Sequence, residues 1–333
     1  MRALVCRKWG TFDDLVIEDR PQPEPGPGQI RFRLRAAGVG FGASVIVAGR
    51  YQRKPPLPFV PGTEAAGIVT AVGDGVTRFR IGDPVIAALD WGGYAEDVIA
   101  FELSAWRVPA SLASDLALAV PLAISYPTAY GALVWRARLA PGETLLVHGA
   151  GGGVGLGAIE IGKALGARVI AAAGSDDKRR IAQQHGADAV IDSRSADLRG
   201  AIRAVAPDGV DVALDSVGGD AFDAAMRSIR PDGRIVTIGY AGGSIPSAPL
   251  NILMVKNASV LGLYIGLYMG WSDPADRARY WPRMAEMYKQ MFAWAEAGAL
   301  RPRVSHRLPL ARPGEAMRAV IGRDAIGKVV LVP

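Results

Sequence analysis

The fold of this chain is decided by one stretch, Leu145-Leu146-Val147-His148-Gly149-Ala150-Gly151-Gly152-Gly153-Val154-Gly155. The three aliphatic residues at its start predict a buried strand, and the glycines after them predict a tight turn. Apolar residues then recur at helical spacing, at positions 154, 158, 161 and 165. Strand, glycine turn and helix together are typical of a dinucleotide-binding unit, in which a pyrophosphate binds the unpaired N–H groups at the helix N-terminus.

The glycines match the G-x-G-x-x-G pattern with one departure. Ala150 stands at the first glycine position, and Gly152 and Gly155 stand at the second and third. Gly152 leaves the backbone open to the phosphates, and Gly155 lets the helix pack closely on its strand. An incomplete glycine pattern also fits a plain flexible loop, so the interpretation depends on the segments that follow.

A second predicted strand, Arg168–Ala173, completes a β–α–β unit. It ends at Gly174 and Ser175, where NAD-binding proteins usually carry an acidic residue that holds the ribose 2′-hydroxyl. Ser175 can instead cap the next helix. Lys178 and Arg179 lie about one turn into that helix, within reach of a 2′-phosphate, although ordinary solvated helix charges are the alternative. The pattern favours NADPH over NADH.

Length and composition set the outer limits. With 333 residues, half of them hydrophobic, the chain is expected to form two domains with large cores. The single cysteine, Cys6, excludes an internal disulfide and any multi-cysteine zinc site. The three histidines, at positions 148, 185 and 306, share no metal-ligand spacing, so structural or surface roles are expected for them.

Membrane and nucleic-acid partners are not expected. We expect no apolar run close to the length of about 20 residues that spans a bilayer. The longest candidate, residues 260–271, is short and is interrupted by glycine. The N-terminus lacks a long apolar signal core, which predicts a cytoplasmic location. The net charge of +6 is spread along the chain, which only weakly supports nucleic-acid binding and suits an anionic cofactor.

The chain is organised in three stretches. Residues 1–120 carry short strand patterns separated by turn residues, typical of a barrel-like all-β domain. Within them, residues 29–37 alternate apolar side chains with arginines and predict a half-buried strand. From 125 to 257 strands and helices alternate, which predicts a parallel, doubly wound sheet and an α/β fold class. Residues 260–265 predict a further strand, and a tail with a helix over 284–297 and a strand over 327–332 is expected to return to the first domain.

Two common catalytic patterns are missing from the sequence. There is no G-x-S-x-G elbow for a hydrolase and no P-loop ending in Gly-Lys-Ser/Thr. What remains is a nucleotide site without an obvious nucleophile or metal. That combination suits hydride transfer, in which the cofactor carries the reactive atom and the protein supplies position and electrostatics.

Several ordered segments together resemble the zinc-independent quinone oxidoreductase branch of the medium-chain dehydrogenase/reductase superfamily. Besides the glycine stretch, they are Pro61-Gly62-Thr63-Glu64-Ala65-Ala66-Gly67, Gly82-Asp83-Pro84-Val85, Gly92-Gly93-Tyr94-Ala95-Glu96, Tyr126-Pro127-Thr128-Ala129-Tyr130 and Gly327-Lys328-Val329-Val330-Leu331. The resemblance covers essentially the whole chain. It implies a GroES-like β-barrel catalytic domain made of residues 1–122 and 262–333, a Rossmann NADPH-binding domain over 123–261, a cleft between them, and a homodimer.

The resemblance also implies the roles of individual residues. Zinc-dependent relatives have a histidine after the glycine that is Gly62 here, and Thr63 in that place implies no metal. Tyr51 matches a tyrosine at the cleft and is the candidate catalytic residue, with a packing aromatic as the alternative. The implied cofactor contacts are Thr128 for the nicotinamide ribose; Ala150, Gly152, Gly153, Val154 and Gly155 for the pyrophosphate; Gly174, Ser175, Lys178 and Arg323 for the 2′-phosphate; Ser193 for the adenosine half; and Gly239, Tyr240, Leu263 and Tyr264 for the nicotinamide.

One departure from the family concerns the acceptor. Where the family commonly has Gly-Val-Asn-Phe-x-Asp, this chain has Gly38-Val39-Gly40-Phe41-Gly42-Ala43, so Gly40 and Ala43 replace both polar residues. We expect NADPH-dependent hydride transfer to a quinone. An activated alkene such as an enal, enone or enoyl thioester is the alternative acceptor, and a non-catalytic NADPH-binding protein of the crystallin-like or RNA-binding kind is the alternative of another class.

Overall fold

A computed structural model describes residues 1–271 and 273–333. The chain divides into two compact units. The first unit contains residues 1–124, 266–296 and 302–333, and the second contains residues 125–265 and 297–301. The predicted second domain covered residues 123–261. In the structure the second unit also contains residues 262–265 and 297–301, and residues 123 and 124 belong to the first unit.

The elements follow one another in chain order. The first unit begins with β1 (Arg2–Val5), β2 (Val16–Asp19), β3 (Gln29–Val39), α1 (Phe41–Val47), β4 (Glu64–Val72), β5 (Pro84–Ala88), β6 (Asp97–Phe101), β7 (Ala105–Arg107) and α2 (Leu116–Ala119). The second unit contains α3 (Ser125–Tyr130), a π-helix (Gly131–Ala137), β8 (Thr144–His148), α4 (Gly153–Ala164), β9 (Arg168–Ala173), α5 (Asp176–Gln184), β10 (Ala189–Asp192), α6 (Leu198–Val205), β11 (Val210–Asp215), α7 (Asp220–Ser228), β12 (Ile229–Thr237), α8 (Leu250–Lys256) and β13 (Ser259–Gly262). After α9 (Ile265–Tyr268), the first unit is completed by α10 (Asp276–Glu296), β14 (Val304–Pro309), α11 (Pro313–Ile321) and β15 (Lys328–Val332).

The second unit is built on a six-stranded parallel sheet of order β10-β9-β8-β11-β12-β13. The central strand β8 comes first in the chain, β9 and β10 extend the sheet on one side, and β11 to β13 extend it on the other. This is the predicted doubly wound sheet, and the prediction is confirmed. The strand predicted over 260–265 is shorter than expected, because β13 ends at Gly262 and the chain becomes helical again at Ile265.

The first unit is organised around β3. Strands β15, β4 and β6 pair with it, and the sheet continues to β14 on one side and to β5 and β7 on the other. Ile30, Phe32 and Leu34 of β3 are fully buried, whereas Arg31 and Arg33 between them are partly exposed. The predicted alternation is therefore confirmed, since successive strand residues point to opposite faces.

Two predictions about helices need correction. The helix predicted over 284–297 begins earlier, at Asp276, and contains Pro282. Proline usually interrupts a helix because it lacks the N–H group that the helical hydrogen bond needs. The expectation that no apolar stretch is long enough to span a bilayer is wrong for Leu116–Ala137, a helical stretch of 22 residues that passes on length and composition. Of its most apolar window, 78% is buried inside the protein, as is common for core helices of globular folds.

Candidate functional site

The glycine turn lies between β8 and α4. Gly149 has a φ of 65°, and Gly152 is the N-cap of α4 without a side-chain cap, so the first N–H groups of the helix have no partner within it. A Cβ at Gly155 would lie 2.6 Å from the Cα of Ala150, so no side chain fits there. A Cβ at Gly152 would have a single neighbour, the Gly149 carbonyl oxygen at 3.5 Å. The turn is therefore tightly packed on its inner side and open at Gly152.

Lys178 lies against this turn. Its backbone N–H donates to the Ser175 hydroxyl at 3.3 Å, which caps the start of α5. A Cβ at Gly151 would lie 2.7 Å from both Cγ and Cδ of Lys178. The aliphatic part of the lysine thus occupies the space that Gly151 leaves free. Gly151 is a contributor that the glycine pattern does not identify, because its role depends on the neighbouring helix.

The ends of β9 and β10 bring further predicted residues together. A Cβ at Gly174 would lie 3.4 Å from the Ser193 hydroxyl and 3.5 Å from Cγ of Arg194. Arg194 carries a largely exposed guanidinium group that lies 3.4 Å from Asp192. Sequence reasoning did not identify Arg194. Its position two residues after the end of a strand, next to the predicted Ser193, could have indicated a cation near the cofactor site.

Arg179 has a different role from Lys178. Its guanidinium group donates to the Ala173 carbonyl at 2.9 Å, lies 3.3 Å from Asp192 and also pairs with Asp176. These contacts tie α5 to the ends of β9 and β10. The structure therefore supports a structural role for Arg179 rather than the 2′-phosphate contact that the sequence left open.

The sheet order reverses between β8 and β11, and ligands of open α/β sheets bind outside the carboxyl ends of the strands at such a point. The last residues of these two strands are His148 and Asp215. The Asp215 carboxylate accepts hydrogen bonds from the N–H groups of Val217 at 2.9 Å and Gly218 at 3.1 Å, and the Ser216 hydroxyl donates to the His148 carbonyl at 3.4 Å. The loop after β11 is thus held next to the glycine turn.

His148 is itself buried. Neither ring nitrogen has a hydrogen-bond partner among the described residues. Burial lowers the pKa of this imidazole, and the neighbouring Asp215 carboxylate opposes the shift only in part. His148 is therefore a buried residue of the strand that leads into the glycine turn.

The predicted nicotinamide contacts follow the last two strands of the same sheet. Gly239 and Tyr240 come after β12, and Leu263 and Tyr264 come after β13. The N–H of Leu263 donates to the backbone carbonyl of Thr237 at 3.1 Å. Because all six strands are parallel, these residues lie at the same edge as the glycine turn. Leu263 also contacts the π-helix, since a Cβ at Gly131 would lie 3.3 Å from it.

Thr128 lies on a helix that is held by the buried carboxylate of Glu160 through Tyr126. This helix, α3, packs on α4. The Tyr126 hydroxyl donates to Glu160 at 2.7 Å, and Glu160 also contacts His185 at 2.7 Å and the N–H of Arg301 at 3.0 Å. Burial and the Glu160 charge hold the pKa of Tyr126 well above its ordinary value. This network fixes α3 relative to the helix that begins at the glycine turn.

Two predicted site residues lie in the first unit. Tyr51 is half-buried and packs against the hydrophobic core of that unit, which supports the packing role without testing the catalytic one. Arg323 is exposed and follows α11 with a φ of 61°. The other predicted cofactor contacts all lie in the second unit.

The Gly40 region of the first unit contains charged residues that sequence reasoning missed. Gly40 is the N-cap of α1, and the ammonium Nζ of Lys328 lies 3.4 Å from the position of a Cβ at residue 40. Lys328 pairs with Glu64, and both side chains are under a tenth exposed. Both residues belong to segments quoted for the family resemblance, but their pairing depends on strands that meet only in the fold.

Among residues 1–271 and 273–333, no group of three or more His, Cys, Asp or Glu side chains is arranged to hold a metal ion. Thr63 accepts a hydrogen bond from the N–H of Leu89 at 2.7 Å through its backbone carbonyl.

Comparison with known proteins adds independent information. Residues 26–109 match the family model of the alcohol dehydrogenase GroES-like domain, and residues 153–285 match the model of the zinc-binding dehydrogenase. The rat quinone oxidoreductase-like protein 2 is 36% identical over 87% of this chain and 81% of its own length. Human quinone oxidoreductase is 31% identical over 86% of this chain and 84% of its own length. The crystal structure of Escherichia coli quinone oxidoreductase complexed with NADPH covers all of both chains, with a TM-score of 0.88 and 28% identity.

Proposed function

Because the chain belongs to the quinone oxidoreductase branch of the medium-chain dehydrogenase/reductase superfamily, we propose that it reduces a quinone with hydride from NADPH. As a member of this superfamily it is an oxidoreductase. The observation that carries the proposal is the glycine turn at the reversal point of the parallel sheet, with Gly152 open and Lys178 lying against Gly151.

The residues of the second unit fit the dinucleotide. Ala150, Gly152, Gly153, Val154 and Gly155 would hold the pyrophosphate, because they form the turn and the first residues of α4, and the space next to Gly152 is open. Ser193 would contact the adenosine half, and Thr128, Gly239, Tyr240, Leu263 and Tyr264 would contact the nicotinamide ribose and ring. When bound, NADPH supplies the hydride, and the protein's part is to bind, orient and exclude water.

A cation and a missing carboxylate support NADPH over NADH. Gly174 and Ser175 offer no acidic side chain to the ribose, and Lys178 and Arg194 lie close to this end of β9. A 2′-phosphate would gain charge-assisted hydrogen bonds from these cations, whereas neither Gly174 nor Ser175 offers a carboxylate to a ribose hydroxyl. The family resemblance adds Arg323, which lies in the first unit.

The acceptor assignment rests on the relatives and on the first unit. The rat and human relatives carry quinone oxidoreductase names. At the two positions where the family commonly has Asn and Asp, this chain has Gly40 and Ala43, which carry no polar side chain. Such a wall favours flat, apolar acceptors, whose burial is worth about 25 cal/mol per Å². Tyr51 is the proposed group for orienting or protonating the reduced oxygen, with water as the alternative proton donor.

Steady-state oxidation of NADPH with a quinone panel and an enone panel tests this function. Turnover with quinones supports the proposal. Turnover with enones alone would identify the alkene alternative, and tight NADPH binding without turnover of either panel would identify a non-catalytic binding protein.

We also propose that the reaction is independent of zinc, given Thr63 and the single cysteine. Activity should survive exhaustive chelation, and a tightly held zinc whose removal abolishes turnover would contradict this. We also propose a cytoplasmic location.

A homodimer is supported by the free edge of the second unit. Strand β13 is the last strand of the sheet, and α8 beside β12 exposes Leu250, Met254 and Val255 by more than 70% each. A strand edge next to exposed apolar side chains is suited to a second copy. Sedimentation should give a dimer, and Met254→Glu should shift it toward the monomer; a monomeric wild-type protein would refute this state.

A further inference from the structure

A buried ion pair lies within the first unit, beside the positions where the acceptor site departs from the family pattern. Glu64 begins β4 and Lys328 begins β15, the two strands that flank the end of β3. Their side chains are 4% and 9% exposed. Gly38 of β3 makes room for this arrangement, because a Cβ there would lie 2.6 Å from the Glu64 carboxylate.

The pair is not explained by stability alone. Taking two charges out of water costs several kcal/mol each in general, and apolar replacements of buried pairs are often neutral or stabilising. Moreover, Glu64 Oε2 has no hydrogen-bond partner among the described residues. The nearby Tyr94 hydroxyl donates to the Gly38 carbonyl at 3.1 Å instead, and its pKa is raised by burial and by the Glu64 charge.

The ammonium group of Lys328 keeps unused donors. It carries three N–H groups, and Glu64 is its one partner in the part of the chain that the structure describes. The group faces Gly40, where a Cβ would lie 3.4 Å from Nζ and would meet no other heavy atom within 4 Å. Gly42, two residues on, likewise has open space around it. The Lys328 ammonium group, held in place by Glu64, therefore borders the space beside Gly40, where there is no side chain.

We propose that Lys328 binds an anionic oxygen through these donors. This inference rests on the proposed function for the source of that oxygen. In the proposed reaction one hydride, carrying two electrons, would pass from C4 of the nicotinamide to the acceptor. The cofactor would be oxidised, and the acceptor would be reduced to an anion whose charge lies on oxygen until Tyr51 or water donates a proton. The same chemistry fits a phosphate oxygen of NADPH, and the experiment separates the two sources.

The test compares variants that differ in charge and in access. Glu64→Gln/Lys328→Met removes both charges together and leaves no buried charge unpaired. Glu286→Gln/Lys289→Met removes an exposed pair of α10 in the same unit and is the matched control. Gly40→Asn retains the pair and offers Nζ an amide oxygen, whereas Gly40→Ala adds only a methyl group, at a φ of −135° that any residue adopts.

Three readouts decide the outcome: kcat/KM for a quinone, the dissociation constant of NADPH, and that of 4-nitrophenolate, a stable aromatic oxyanion. For an acceptor oxygen we expect a loss of roughly a hundredfold in kcat/KM in the double variant, weaker 4-nitrophenolate binding and unchanged NADPH binding. Gly40→Asn should lose more than Gly40→Ala. Weaker NADPH binding instead would identify a cofactor phosphate as the bound oxygen.

The inference is wrong if the folded double variant matches wild type in all three readouts. Circular dichroism and a thermal melt verify folding, and Gly40→Asn answers the same question if the double variant does not fold. Failure of the proposed function looks different: wild type would then reduce no quinone, while the two binding constants would still report on Lys328.

Discussion

Lys178 lies over Gly151, with its Cγ and Cδ 2.7 Å from the point where a Cβ at residue 151 would stand. The contact joins the helix after β9 to the turn after β8. It places a cation of the proposed 2′-phosphate site directly beside the proposed pyrophosphate site. A single side chain therefore links the two proposed phosphate-binding regions of the second unit.

The first prediction concerns cofactor choice. Lys178→Met keeps the packing over Gly151 and removes only the charge, so NADPH binding should weaken by roughly ten- to a hundredfold, the value of one charge-assisted hydrogen bond. NADH binding should hardly change. Arg180→Met, on the same helix with an exposed side chain, is the control. Equal wild-type affinity for the two cofactors in a fluorescence titration would contradict the assignment.

A second prediction separates two glycines of the turn. Gly155→Ala should destabilise the fold by about 1–3 kcal/mol, because the new methyl group meets the Ala150 backbone at 2.6 Å. Gly152→Ala should fold normally, because its Cβ has open space, yet should weaken NADPH binding by obstructing the phosphates. Urea unfolding and NADPH titration of both variants check this. Equal NADPH affinity in wild type and Gly152→Ala would show that the phosphates bind elsewhere.

The third prediction concerns pH and His148. The lowered pKa of the folded state means that, below the unfolded value of about 6.5, the unfolded chain binds a proton that the folded chain does not. The contribution of His148 to the free energy of unfolding is therefore fully present above pH 6.5. As the pH drops below 6.5, the free energy of unfolding falls by up to about 1.4 kcal/mol per pH unit. His148→Phe should therefore reduce the stability difference between pH 6.5 and 5.5, by at most about 1 kcal/mol. An unchanged difference would mean that the folded imidazole takes up the proton.

The last prediction concerns the acceptor. With Gly40 and Ala43 in place of polar residues, polycyclic quinones should have higher kcat/KM than small benzoquinones, because they bury more apolar surface. Tyr51→Phe should lose turnover while NADPH binding is kept if the hydroxyl orients or protonates the reduced oxygen. Steady-state kinetics on both quinone sizes provide the measurement. Normal turnover of Tyr51→Phe would leave Tyr51 as a packing residue.

Local sequence by itself determined the parallel sheet, the glycine turn and the cap of α5. Strand alternation, helical spacing and the steric freedom of glycine act over a few residues, so they can be recognised without the fold. Gly155 is an example, since its requirement follows from a turn closed within six residues. Arg179 shows the limits of such reasoning. Its position in the sequence allowed a phosphate contact, but in the fold its side chain pairs with Asp192 at the end of β10.

Only the tertiary structure decided which distant residues meet. Lys328 and Glu64 are 264 residues apart in the sequence, and they pair because β15 and β4 lie on either side of β3. Arg194 reaches Gly174 because β10 is adjacent to β9, and His148 neighbours Asp215 because β11 crosses to the other side of β8. Strand order is set by packing of the whole chain, and no local pattern encodes it.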